Sequence, residues 1–75
     1  MGRKSGADVT ARFGQRVRER RLAVGLSQEA LADRCGLDRT YISGIERGRR
    51  NVSLRNIDTL AFGLRLTLST LFEGL

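Results

Sequence analysis

The strongest chemistry available to this chain of 75 residues lies in its cations. Fourteen basic residues, all arginine except Lys4, face eight acidic ones, for a formal net charge of +6. A guanidinium presents a planar fork of donors that matches phosphate oxygens and guanine edges two at a time, where an ammonium acts as a point charge. A GC-rich genome would also favour arginine codons, but it does not explain where the charge sits. Residues 1–25 hold seven basic residues against Asp8 and Glu19, and residues 26–55 hold six against four. Residues 56–75 hold only Arg65 against Asp58 and Glu73, and are rich in leucine. A basic front and an apolar back imply two surfaces, one for an anion and one for protein.

Other chemistries are excluded by composition. The chain has no histidine and one cysteine, so His-dependent catalysis, a His metal site, a thiolate zinc site and an internal disulfide are all out of reach. No nucleophile–base pair or metal cluster is available, so no enzyme, cofactor or small-molecule ligand is expected. Apolar runs are only a few residues long, too short to span a membrane, and no apolar segment near the start reads as a secretory signal. The expectation is a cytoplasmic protein. With 40% hydrophobic residues, the chain is also too apolar for simple disorder and suits one small core.

The elements that must position the arginines read as five helices and no strand. Residues 1–9 lack periodicity and read as a flexible arm, with Arg3 and Lys4 able to reach an anion; residues 10–75 form the domain. Thr10 is the expected cap of a first helix to about Val24, with Phe13, Val17, Arg21 and Val24 on one face. Gly25 ends it in the left-handed conformation. Ser27 caps a second helix, Gln28 to Cys35, with Ala30, Leu31 and Cys35 inward and Gly36 after it. Asp38 caps a third, Arg39 to about Arg47, with Ile42 and Ile45 inward and Gly48 as terminator. Ser53 caps a fourth, Leu54 to Phe62, with Leu54, Ile57, Leu60, Ala61 and Leu64 on one stripe and Gly63 as its stop. Thr67 starts a short fifth, Leu68 to Glu73. Helices this short depend on tertiary packing.

Two short capped helices meeting at Gly36-Leu37-Asp38, inside a basic all-helical domain, form a helix-turn-helix signature over Ser27 to Glu46. Gly36 supplies the positive φ of the turn, Leu37 plugs the angle, and Arg39, Thr40, Ser43, Gly44 and Arg47 face outward. The stretches Gly25-Leu-Ser-Gln-Glu-Ala-Leu-Ala and Ile42-Ser-Gly-Ile-Glu-Arg-Gly resemble the DNA-binding domains of Cro/cI-type (XRE-like) regulators, over Phe13 to Phe72. Leu37-Asp-Arg-Thr-Tyr-Ile-Ser-Gly-Ile-Glu-Arg-Gly-Arg-Arg-Asn-Val-Ser-Leu further resembles the controller proteins of restriction–modification systems, small dimeric regulators that time endonuclease expression. The resemblance implies a compact five-helix, lambda repressor-like fold. In some controller relatives the position of Arg20 is apolar; Leu22 and Val24 are expected to supply that packing.

Roles follow for single residues. The resemblance implies an ion pair between Arg21 and Glu46, and an arginine on an apolar face needs such a partner unless it snorkels to solvent. Ser27 and Gln28 open a helix whose free N–H groups favour a phosphate, and relatives use the matching glutamine on the DNA backbone. Arg39 can read guanine O6 and N7 or grip a phosphate. Thr40 opens the same helix. Tyr41 can donate to a phosphate or pack on the surface, and Ser43 can bond a base or stay wet. Gly44 can let the backbone approach DNA. Arg47, Arg49, Arg50 and Asn51 form a phosphate clamp, and Cys35 is a core residue. One recognition helix is too little for genomic specificity, so a homodimer on a palindromic or pseudo-palindromic duplex is expected. Its interface is assigned to Leu66, Leu68, Leu71, Phe72 and Leu75. A phage or plasmid repressor, or a toxin-binding antitoxin, remains the alternative on this fold.

Overall fold

The computed structural model describes residues 6–75, with side chains from Val9 onward. It contains α1 (Gly6–Ala23), α2 (Gln28–Cys35), α3 (Arg39–Glu46), α4 (Leu54–Leu64) and α5 (Leu68–Phe72), and no strand among the described residues. The expected positions of Arg3 and Lys4 lie outside the described residues.

Three of the helix corners are built alike. Gly25 (φ +74) and Gly36 (φ +67) follow α1 and α2 in the left-handed conformation. The next residue in each case is a leucine whose N–H reaches back to close the helix end: Leu26 to Arg21 O at 3.0 Å, Leu37 to Ala32 O at 2.9 Å. This is the Schellman arrangement, which satisfies orphan carbonyls and swings an apolar side chain against the core. Both leucines pack there. The third corner, after α4, repeats it with Leu66 donating to Ala61 O at 2.8 Å, but its left-handed residue is Arg65 (φ +60). A cap residue follows each leucine. Ser27 and Thr67 accept from Ala30 N–H and Thr70 N–H, as Ser53 accepts from Asn56 N–H at the head of α4. Asp38 occupies the cap position of α3 with no side-chain cap bond, so its expected role is only half fulfilled.

The core gathers Phe13 and Val17 from α1, Leu31 and Ala32 from α2, Ile42 and Ile45 from α3, Leu60, Ala61 and Leu64 from α4, and Leu71 from α5. Each fully buried branched aliphatic side chain contributes about 1.5–3 kcal/mol. α1 packs most extensively on α3, and α2 on α3 next. Gly14 makes the first contact possible, because a Cβ there would run into the Ile45 and Glu46 carbonyls.

Several expectations are corrected. α1 begins at Gly6, so residues 6–9 are helix rather than arm; Thr10 lies within the helix, its hydroxyl donating to Gly48 O at 3.4 Å across to the end of α3. Val24 and Leu22 are exposed, because α1 stops at Ala23 and the Gly25 turn sends Leu26 inward in their place. Leu54 is 75% exposed at the start of α4, where the stripe has not yet met a neighbour. Gly63 is not a stop: α4 continues through it to bury Leu64, and Gly63 faces Cys35 Sγ and Leu31, where a side chain would not fit.

Candidate nucleic-acid interface

α3 divides cleanly. Ile42 and Ile45, three residues apart, face the core, and Arg39, Thr40 and Arg47 are exposed. Ser43 is half-buried between them. Gly44 departs from its expected exposure: it is buried beneath the side chain of Arg50, so it offers no bare backbone to a ligand.

The orientation of α3 is set by a buried ion pair. Arg21 is 7% exposed. Its Nε and Nη2 donate to Glu46 Oε2 and Oε1 at 2.7 and 2.9 Å, and Nη1 donates to Leu26 O at 2.9 Å. The snorkelling alternative is excluded by this burial. One guanidinium thus joins the end of α1, the first corner and the end of α3. Hydrogen bonding to Glu46 raises the Arg21 pKa further above its ordinary range, against the opposing effect of desolvation.

Glu46 holds a third donor. Gln28 Nε2 lies 3.1 Å from Glu46 Oε1, and Gln28 Oε1 accepts from Arg39 Nη1 at 3.5 Å. A carboxylate only accepts, so the amide nitrogen must face Glu46 and the amide oxygen must face α3. The chain Arg21–Glu46–Gln28–Arg39 runs from the core to an exposed guanidinium at the start of α3.

Tyr41 is half-buried and its Oη accepts from Asn56 Nδ2 at 3.0 Å. Arg50 Cζ stands 5.3 Å from the centroid of the same ring. Nothing in the sequence pattern singled out Asn56, because its partner is reached only through the packing of α4 against the helix-turn-helix. Arg47, Arg49, Arg50 and Asn51 are exposed around the α3–α4 loop. Not every arginine is free for an anion: Arg16 donates to Leu71 O at 2.8 Å and Arg34 to Gly63 O at 3.1 Å.

The apolar end is only partly a surface. Leu71, expected at an interface, is 0% exposed and fills the monomer core. Leu66 and Leu75 are half-buried against that core, and the Phe72 ring stacks on Phe13 at 5.5 Å. Leu68 and Phe72 keep exposed area, and so does Phe62, which sequence reasoning passed over and which is 76% exposed. Among the described residues no group of His, Cys, Asp or Glu is placed to hold a metal, and no helix is long and apolar enough to cross a membrane.

Residues 17–71 match the helix-turn-helix family model. Control protein C.MunI of a Mycoplasma species is 46% identical over 69 residues, covering 91% of this chain and 93% of the relative. The crystal structure of the restriction–modification controller protein C.AhdI from Aeromonas hydrophila superposes with a TM-score of 0.84 at 55% identity, covering 87% of this chain and 98% of that one. The controller protein C.Esp1396I, solved as a tetramer with its natural 35 base-pair operator, superposes with a TM-score of 0.83 at 37% identity, covering 87% and 86%.

Proposed function

We propose, from the premise that this chain belongs to the helix-turn-helix family and is a DNA-binding regulator of the restriction–modification controller type, that it binds its own promoter region as a homodimer and times expression of an endonuclease. The observation that carries this reading is the exposed face of α3, held by the chain of hydrogen bonds from Arg21 to Arg39. Rigid presentation of a few donors is what groove reading needs, since a side chain that must first be ordered loses affinity to entropy.

In this reading α3 enters the major groove. Arg39 reads a guanine edge, and Thr40 and Ser43 reach neighbouring bases. Ser27 and Gln28 bring the N-terminus of α2 to a phosphate, and Arg47, Arg49 and Asn51 grip the backbone beyond the helix. The Tyr41 hydroxyl accepts from Asn56 and keeps its own hydrogen to donate to a phosphate. The exposed Phe62, Leu68 and Phe72 form the contact with a second copy, placing two recognition helices about 34 Å apart on a two-fold site. That C.Esp1396I was solved as a tetramer with its operator supports operator binding by more than one copy.

The test is footprinting on DNA upstream of the protein's own gene, with binding measured against salt. The expected result is a protected two-fold site whose affinity falls steeply as salt rises, through counterion release. Absence of protection, or binding indifferent to salt, contradicts the reading.

A further inference from the structure

Phe62 is 76% exposed on α4, and its surroundings are charged in a particular order. Asp58 lies four residues before it and Arg65 three residues after it, so the three side chains share one face of the helix. Both flanking residues are exposed, and neither has a side-chain partner among the described residues. Beside Phe62 a groove of about 270 Å³ is lined by Arg34, Phe62, Gly63 and Arg65, with no carboxylate in its wall. An apolar cavity of about 150 Å³ already holds a benzene ring, so the groove has room for a second aromatic side chain. Arg34 is tied to Gly63 O at 3.1 Å, which steadies one wall. The other wall is Arg65, the residue held at φ +60 where the corners after α1 and α2 have glycine. Strain of this kind persists where the side chain is used.

An acid, an aromatic ring and a base at nearly equal steps along a helix make a pattern that is its own complement when reversed. We propose that a second copy lays the same face of α4 antiparallel on this one, with the two-fold axis at Phe62. The two rings then meet at the axis, and Asp58 of each copy faces Arg65 of the other. An isologous contact requires this reciprocity. The rings bury apolar area. Exposed ion pairs add little affinity of their own, but like charges brought together at the same places are strongly disfavoured, so the pairs decide which chains associate. This rests on the homodimer reading and deepens it: the charges at residues 58 and 65 are a pairing code.

The test is sedimentation at matched concentrations of wild type, Asp58→Arg, Arg65→Asp and an equimolar mixture of the two variants, with folding followed by circular dichroism. Each variant alone places two pairs of like charges across the axis and should self-associate on the order of tenfold more weakly. The mixture restores opposite charges at both places and should recover the dimer. Arg65→Gly, which suits the left-handed corner, removes the cation without disturbing the turn and should also weaken the dimer. Single variants that dimerise as wild type, or a mixture of folded variants that stays monomeric, overturn the inference and leave the homodimer reading standing. A wild-type protein that is monomeric throughout takes the homodimer reading down, and this inference with it.

Discussion

The amide of Gln28, first residue of α2, donates to the carboxylate of Glu46, last residue of α3, at 3.1 Å. Because Glu46 also holds Arg21 through two bonds, the two arms of the helix-turn-helix and the end of α1 share one carboxylate. Their mutual angle is set by that group as well as by packing.

Removing Arg21 should therefore be a folding defect. Arg21→Ala leaves a buried carboxylate with one remaining donor, and is expected to cost about 3 kcal/mol. Gln28→Ala leaves the ion pair intact and is expected to cost about 1 kcal/mol. Thermal unfolding followed by circular dichroism measures both, and equal melting of Arg21→Ala and wild type contradicts the role given to the pair.

Gly14→Ala should also destabilise, for a different reason. The new methyl group would meet main-chain carbonyls of Ile45 and Glu46, which cannot rotate aside as a side chain would. α1 must shift off α3, at a cost of about 1–3 kcal/mol. The contrast with Gly44→Ala, whose methyl meets only a flexible arginine, can be read in one series of melting curves.

Arg65→Gly should stabilise. Arg65 holds φ +60, which a side chain disfavours and glycine tolerates. The expected gain is about 1 kcal/mol, measured as a rise in the midpoint of denaturant unfolding with an unchanged slope.

Stability should fall at alkaline pH partly through Cys35. Burial pushes its thiol pKa up, outweighing the opposing effects of a Gly63 backbone hydrogen bond and of Arg34. The folded state then holds its proton where the unfolded chain has lost it. The contribution is fully present below the ordinary thiol pKa of about 8.5 and is lost as pH climbs through the raised value. Cys35→Ser, unfolded by urea at a series of pH values, should show a flatter decline in that window.

Two leucines three residues apart on α5 should behave oppositely. Leu71 is in the core, so Leu71→Asp should fail to fold. Leu68 is partly exposed, so Leu68→Asp should keep the helical spectrum and shift sedimentation from dimer toward monomer. A folded Leu68→Asp that still sediments as wild type removes Leu68 from the interface.

The corners explain what could be read from the chain and what could not. Gly25-Leu26-Ser27 and Gly36-Leu37-Asp38 announce themselves, because glycine marks the left-handed turn and a short polar residue marks the next cap. Arg65-Leu66-Thr67 performs the same turn without the glycine, so the end of α4 was misplaced at Gly63. Gly63 and Gly14 serve close approach between helices, a need that arises only in three dimensions. The Arg21–Glu46 pair was expected from the charge on an apolar face together with family resemblance. The Asn56–Tyr41 bond, and the course of Arg50 over Gly44, depend on how α4 and its preceding loop come to lie beside α3, and no local pattern encodes that.

The division of α3 has a practical corollary. Ile42 and Ile45 hold the helix in place, while Arg39, Thr40 and Arg47 hold nothing in the core. Vocabulary and scaffold are therefore written in different letters of the same short word. On the proposed reading, changes at Arg39 and Thr40 should alter the preferred site without loss of the core, provided that Gln28 is changed together with Arg39, since the two share a hydrogen bond.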